Sequence, residues 1–454
     1  MPSVCFYFQV HQPYRTKKYR IFDVGHDHEY FNDKSDQDIN NEKILHKVAN
    51  KSYLPMNALL LELLHKHPEF KCSFSFSGVY LDQLQEFSPK TLKSFQKLVG
   101  TGRVEVLDET YYHSLAYLYS KDEFKRQVAL HRDKVQKLFG VVPTAFRNTE
   151  LIYNNELAKT VEDMGYKAIL AEGADHLLGW RSPNFLYQAP GTSKIKTLLK
   201  NYRLSDDIAF RFSSRDWPEW PLKAEKFAEW VNAVNGNGNI VNLFMDYETF
   251  GEHQWEDTGI FEFMRAFPGE ILRNPDNDFV TVTEAAKRFS TVGEFDAHNF
   301  VSWADVERDL SAWLSNNMQH EAIQNVYALE KDVLASGDKK LIEDWRKLQT
   351  SDHFYYMCTK WFADGDVHKY FNPYETPYEA FIAYNNVLHD LALRIKTISG
   401  KPVLLATETE EMKPMKPHGG VKAKKKAPAK KAVAKKKKAP AAAKRKLTPA
   451  KKKK

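Results

Sequence analysis

Cysteine is scarce in this chain: three among 454 residues, Cys5, Cys72 and Cys358. So few thiols exclude a disulfide framework, and with no Cys-x-x-Cys pair a structural zinc site has no support. Cys5 and Cys72 lie in apolar, β-like runs and read as small buried hydrophobes. No stretch approaches the roughly 18 consecutive apolar residues of a membrane span. The start, Met-Pro-Ser-Val-Cys-Phe, lacks the basic and apolar segments of a secretory signal. A soluble cytoplasmic protein without membrane contact is the expectation. Also missing are Gly-x-Gly-x-x-Gly, a P-loop and Gly-x-Ser-x-Gly, so nucleotide binding and serine-hydrolase chemistry have no support. No His-x-x-x-His pair occurs, and His26-Asp27-His28, in a loop, reads as solvated rather than metal-binding. Neither a metal nor a cofactor is expected.

Residues 412–454 lack any acidic or aromatic residue and carry 19 Lys or Arg, 10 Ala and 5 Pro. Such a segment cannot bury a core and is expected to be a disordered tail. Its charge would attract nucleic acid or another polyanion by counterion release, without base stacking. The plainer alternative is a solvated appendage with no dedicated partner. Setting those 19 aside leaves 47 Lys and Arg against 59 Asp and Glu in residues 1–411, a net of −12. The overall charge of +7 therefore belongs to the tail.

The remaining 411 residues hold most of the apolar content and alternate in pattern. Strand-like runs at 4–10, 72–77, 104–107, 145–147, 168–171 and 240–245 are separated by helical spacing at 54–64, 124–139 and 156–164. Alternating strands and helices imply parallel strands with crossover helices, an α/β fold. From about 303 only helical spacing remains, at 310–333, 341–360 and 378–398. The expected layout is an α/β catalytic domain over 1–300, a helical region over 301–411 and the tail.

Barrel-type folds place chemistry on loops after strand C-terminal ends. Five polar clusters fall in or near such places: His11-Gln12-Pro13; Gly102-Arg103-Val104-Glu105 leading into Glu109-Thr110-Tyr111-Tyr112-His113; Arg147-Asn148-Thr149-Glu150; Asp246-Tyr247-Glu248-Thr249-Phe250-Gly251; and Ser351-Asp352 in the helical region. Taken singly, each acid reads as an exposed strand-end residue or a cap. Paired carboxylates on facing strand ends, however, suit glycoside hydrolysis, one attacking the anomeric carbon while the other protonates the leaving oxygen.

As a set, these clusters resemble the five ordered sequence regions of glycoside hydrolase family 57, the α-amylase-like family that also contains 4-α-glucanotransferases, branching enzymes and amylopullulanases. The resemblance covers residues 4 to about 357. It implies an incomplete seven-stranded (β/α) barrel followed by a helical region that completes the active site. It also implies retention of anomeric configuration, no metal, and an α-glucan substrate such as starch, glycogen or maltodextrin. Carried over by position, Glu150 would be the nucleophile and Asp246 the general acid/base, with a pKa raised by burial and by the charge of Glu150. His11, Glu105, Glu248 and Asp352 would bind the sugar that is cleaved, with His113 beside them. Arg147, His253 and Tyr355 stand where many members carry tryptophan, so as substrate-binding residues they would alter which glucan is held. Hydrolysis of the α-amylase type, glycosyl transfer or branching, and a non-catalytic carbohydrate-binding role all remain open at this point.

Overall fold

The computed structural model describes residues 2–31, 33–35, 38–360, 367–400 and 405, so the basic segment 412–454 and its expected disorder lie outside the described residues. Nine strands are described: β1 (Ser3–Val10), β2 (Cys72–Phe76), β3 (Val104–Val106), β4 (Ala145–Phe146), β5 (Ala168–Glu172), β6 (Leu186–Gln188), β7 (Lys196–Lys200), β8 (Ile240–Asp246) and β9 (Thr291–Glu294). They form two sheets, ordered β3-β2-β1-β8 and β4-β5-β7-β6-β9. Every ladder is parallel except β6 with β7. All eight residues of β1 are buried, as expected of a strand covered on both faces.

The expectation of one seven-stranded barrel is met in part: the strands are mostly parallel and alternate with helices, but they fall in two sheets, not in one continuous ladder. An isolated bridge between Asp108 and Phe146 links the end of β3 to β4. On the far side, the Asn201 N–H donates to the Asn242 carbonyl at 2.9 Å, and the Asn242 amide donates to the Leu199 carbonyl at 2.8 Å. An inner apolar cluster draws Cys5 and Tyr7 from β1, Leu170 from β5, Leu198 from β7 and Phe244 from β8, so both sheets share one interior. The short β6 and β9 carry no alternating run long enough to read from sequence.

The outward faces of β1 and β2 present Phe6, Phe8, Phe74 and Phe76 to helices Leu54–Lys66, Pro89–Val99 and Ile260–Leu272. The helix expected over 54–64 continues a longer helical run that starts at Asn41, interrupted by a π-helical turn at Ala49–Tyr53. Such turns often serve a site, and this one brings Tyr53 to the loop after β8, where its hydroxyl donates to Glu248.

The helical region is more divided than its apolar spacing suggests. In place of one helix over 310–333 stand Ser311–Leu314, Asn317–Ala328 and Glu330–Ser336. A reciprocal capping box between Asn316 and Gln319 starts the second of these afresh. The run over 341–360 is likewise split into Lys339–Lys347 and Ser351–Tyr355. At this break the Thr350 hydroxyl donates to the Tyr112 carbonyl, and the Ser351 N–H to that of His113. That restart fixes the place of Asp352. The last helix, Pro377–Ser399, matches its expected position. Around residue 300 the packing shows no gap, since one apolar cluster joins Phe124, Phe146 and Ile169 to Trp313, Trp345 and Leu388.

Candidate active site

Register sets the site. β1 and β8 run parallel with Gln9 opposite Asp246, so both strands deliver polar residues at the same C-terminal end. Behind them the Gln9 amide donates to both oxygens of Glu109, at 3.1 and 3.3 Å. The Tyr7 and Ser75 hydroxyls each donate to the Gln9 side-chain oxygen Oε1 at 2.6 Å. After β4 the chain turns abruptly: Glu150 and Leu151 have φ of 57° and 51°, and His113 has 50°. Left-handed backbone is costly for side chains with a Cβ, and it gathers at sites where surrounding contacts enforce it.

His113 lies between two carboxylates, its Nδ1 3.0 Å from Glu109 and its Nε2 3.0 Å from Glu150. Burial alone would lower its pKa, but the hydrogen bonds and charges of Glu109 and Glu150 raise it to about 9. His113 is therefore an imidazolium at neutral pH, donating from both nitrogens. Burial would likewise raise Glu150, yet His113, Arg147 and the indole of Trp303 hold it below the usual carboxylate value. Trp303 Nε1 donates to Glu150 Oε2 at 2.7 Å.

Asp246 behaves in the opposite way. Burial, and after it the charge of Glu150, push it up to about 6 against the pull of Arg147, Lys200 and His113. Two residues further on, burial and the charge of Asp246 carry Glu248 to about 8, so it is a neutral acid beside the Tyr53 hydroxyl. Two carboxyl groups, one held below its ordinary pKa and one pushed above it, are the arrangement from which acid/base and nucleophile roles can be assigned.

The His11 ring stacks on His113 with centroids 4.0 Å apart. Only one of the two can carry a charge at that distance, and burial with the His113 charge lowers His11. The neutral His11 donates from Nε2 to Asp352 at 3.0 Å and accepts at Nδ1 from the Ser77 hydroxyl at 2.6 Å. Burial works against ionised Asp352, but His11 holds it well below the carboxylate range.

Arg147 is fully buried, and none of its three guanidinium nitrogens has a hydrogen-bond partner among the described residues. It lies 3.8 Å from Glu109 and 4.9 Å from the centre of the Trp303 ring. Lys200, the last residue of β7, lies 5.3 Å from the same ring and 2.9 Å from Asp206.

A model of the glycosyl hydrolase family 57 matches residues 5–298. The chain belongs to glycosyl hydrolase family 57. A Methanocaldococcus jannaschii protein named "Putative alpha-amylase" is 43% identical over 409 residues, covering 88% of this chain and 86% of its own length. Among solved structures, a branching enzyme of Pyrococcus horikoshii superimposes with a TM-score of 0.62 at 15% identity, covering 91% of this chain and 98% of its own. The 4-alpha-glucanotransferase of Thermococcus litoralis gives 0.59 at 17% identity, covering 78% of this chain. Our chain spans 56% of that enzyme's length. At such identities the two structures speak for the fold alone.

Of the residues expected at the site from the family 57 pattern, His11, His113, Arg147, Glu150, Asp246, Glu248 and Asp352 lie in this one network of contacts and charges. Glu105 does not join it. Its carboxylate accepts from Ser73 at 3.2 Å and from the Thr283 N–H at 3.0 Å, at the opening of helix Val282–Arg288. Glu109, four residues on and past the end of β3, occupies the network instead. His253 is buried, its pKa lowered to about 4 by burial, and its ring meets Phe371 edge-on at 5.5 Å. Tyr355 stacks on His368 at 4.3 Å. His28 of the His26-Asp27-His28 run donates from Nδ1 to buried Asp390 at 2.7 Å, far along the chain. Glu109 was read as part of a polar cluster but given no role, and Gln9, Tyr53, Lys200 and Trp303 went unread in the sequence. Of these four only Gln9 sits beside a quoted motif; the other three come from segments without one.

Proposed function

We propose that the chain is a retaining glycoside hydrolase that cleaves α-glucans such as starch, glycogen or maltodextrin in the manner of an α-amylase. Glu150 attacks the anomeric carbon while Asp246 gives its proton to the departing glycosidic oxygen. Asp246, now a carboxylate, takes a proton from water, which displaces Glu150 and releases the sugar. The observation that carries this reading is the opposed ionisation of the two groups: Glu150 held below its ordinary value, Asp246 raised to about 6 by burial and by Glu150 itself. Asp352, neutral His11 and protonated Glu248 offer acceptors and donors to sugar hydroxyls around them. Such contacts raise the rate when they tighten in the transition state. The choice of α-glucan is supported by family membership and by the name of the 43% identical relative.

The test is product analysis with maltoheptaose and soluble glycogen, wild type beside Glu150→Gln. Shorter maltooligosaccharides from wild type and none from the variant are the expected result. Products both longer and shorter than maltoheptaose would move the assignment to glycosyl transfer. Equal turnover by the variant would remove Glu150 from the nucleophile's place.

A further inference from the structure

Trp303 reaches Glu150 from outside every motif of the sequence. Its N–H donates to the Glu150 carbonyl at 3.3 Å while its indole donates to the Glu150 carboxylate at 2.7 Å, so one residue grips both backbone and side chain. The Arg147 guanidinium and the Lys200 ammonium lie 4.9 and 5.3 Å from the ring centre, a cation–π environment on a partly exposed tryptophan.

The loop that presents Trp303 is pinned along its length. It leaves a two-way backbone pairing of Val301 with Tyr153, at 2.9 Å each way. Ser302 donates from its N–H to the Arg308 carbonyl at 3.1 Å and from its hydroxyl to that of Asp309 at 2.6 Å. Arg308 Nη1 donates to the Trp303 carbonyl at 2.5 Å, and the same guanidinium lies 3.8 Å from Glu172 and 3.6 Å from Asp206, at and beyond the ends of β5 and β7. On the other side Asp305 pairs with Lys360 at 3.3 Å and His368 at 3.0 Å. Asp305 and Arg308 both hold left-handed backbone, with φ of 52° and 53°. A loop that keeps two such residues with a Cβ is held by its surroundings, and what it holds in turn is the indole against Glu150.

We infer that Trp303 is the positioning residue of the nucleophile: its indole N–H fixes the rotamer of Glu150 opposite His113. Glu150 is then gripped by one charged donor and one neutral donor, one on each oxygen. The neutral one orients the carboxylate without neutralising it. This rests on the assignment of Glu150 as nucleophile.

The test replaces Trp303 by phenylalanine and, in a second variant, by 3-benzothienylalanine, which keeps the indole's shape but has sulfur in place of N–H. Thermal unfolding, maltoheptaose kinetics and a ¹³C NMR titration of the Glu150 carboxyl are measured for each. For the benzothienyl variant we expect an unchanged melting temperature, kcat lower by roughly 10- to 100-fold with KM little altered, and a Glu150 titration moved to higher pH. Unchanged kcat with a raised KM, or an unmoved titration, would overturn the proposal and leave Trp303 a sugar platform. A lowered melting temperature with kcat intact would leave it a structural residue. Should wild type turn over no glucan, the hydrolase assignment fails, and the titration still decides whether Trp303 holds Glu150.

Discussion

Replacing Asp246 by asparagine should make the protein clearly more stable at pH 7.5 and only slightly more stable at pH 4. The half-buried side chain is carried from its ordinary 3.8 up to about 6, first by burial and then by the charge of Glu150. Because the folded pKa is the higher one, the fold holds this proton more tightly than the unfolded chain does. The stability that follows is complete below pH 3.8 and is lost as pH rises toward 6. Above pH 6 the ionised carboxylate costs the fold about 3 kcal/mol, or roughly 2 once the solvent reaching the side chain is allowed for. Asparagine never ionises, so at pH 7.5 it recovers that amount, while at pH 4 the gain shrinks below about 1 kcal/mol. Urea unfolding of both proteins at the two pH values, followed by tryptophan fluorescence, measures the difference. Hydrolysis by the variant should be lost at both. An equal gain at both pH values, or a loss at pH 7.5, would refute the claim that Asp246 is a strained, proton-holding acid.

Three further outcomes are expected. The alkaline limb of kcat/KM should bend near pH 6, where Asp246 gives up its proton, with activity falling about tenfold per pH unit beyond it; a limb that stays flat to pH 8 would assign the acid elsewhere. His113→Asn leaves Glu109 and Glu150 facing each other without the cation between them, so the acid limb should shift to higher pH and kcat should drop on the order of 100-fold, read from pH-dependent kinetics. Gly251→Ala should destabilise by roughly 3 kcal/mol or more in thermal unfolding and cost activity with it: φ is +109° there, and an added Cβ would sit 2.1 Å from the Lys51 carbonyl oxygen.

Much of the site was legible because strand ends announce themselves. The apolar run into Asp246 and the turn that follows it place that acid at the end of β8 without any knowledge of the fold. The choice between Glu105 and Glu109 was not legible. They stand four apart, and only the register of β3 on β2, with Glu105 opposite Ser73, shows that Glu105 stays near the strand starts while Glu109 reaches the site. Trp303 could not be read at all, because its approach to Glu150 is made by a loop whose bends depend on charges in β5, in the helix after β7 and in the helical region. The helical region itself was overread. Apolar spacing continues through Asn316 and Thr350, and the breaks there come from a capping box and from backbone contacts with Tyr112 and His113, which apolar spacing does not register.

The hydrogen bond between His11 and Asp352 closes a span of 341 residues. During synthesis, His11 leaves the ribosome first and Asp352 follows after an interval of roughly 20 to 70 seconds at ordinary elongation rates. Through that interval the strands can pair and bury their phenylalanines, but the imidazole has no carboxylate to meet and the pocket has no far wall. Competence to hold a sugar thus arrives with the last third of the folded chain, late and all at once, and a ribosome stalled before residue 350 would display a folded sheet with an unfinished mouth.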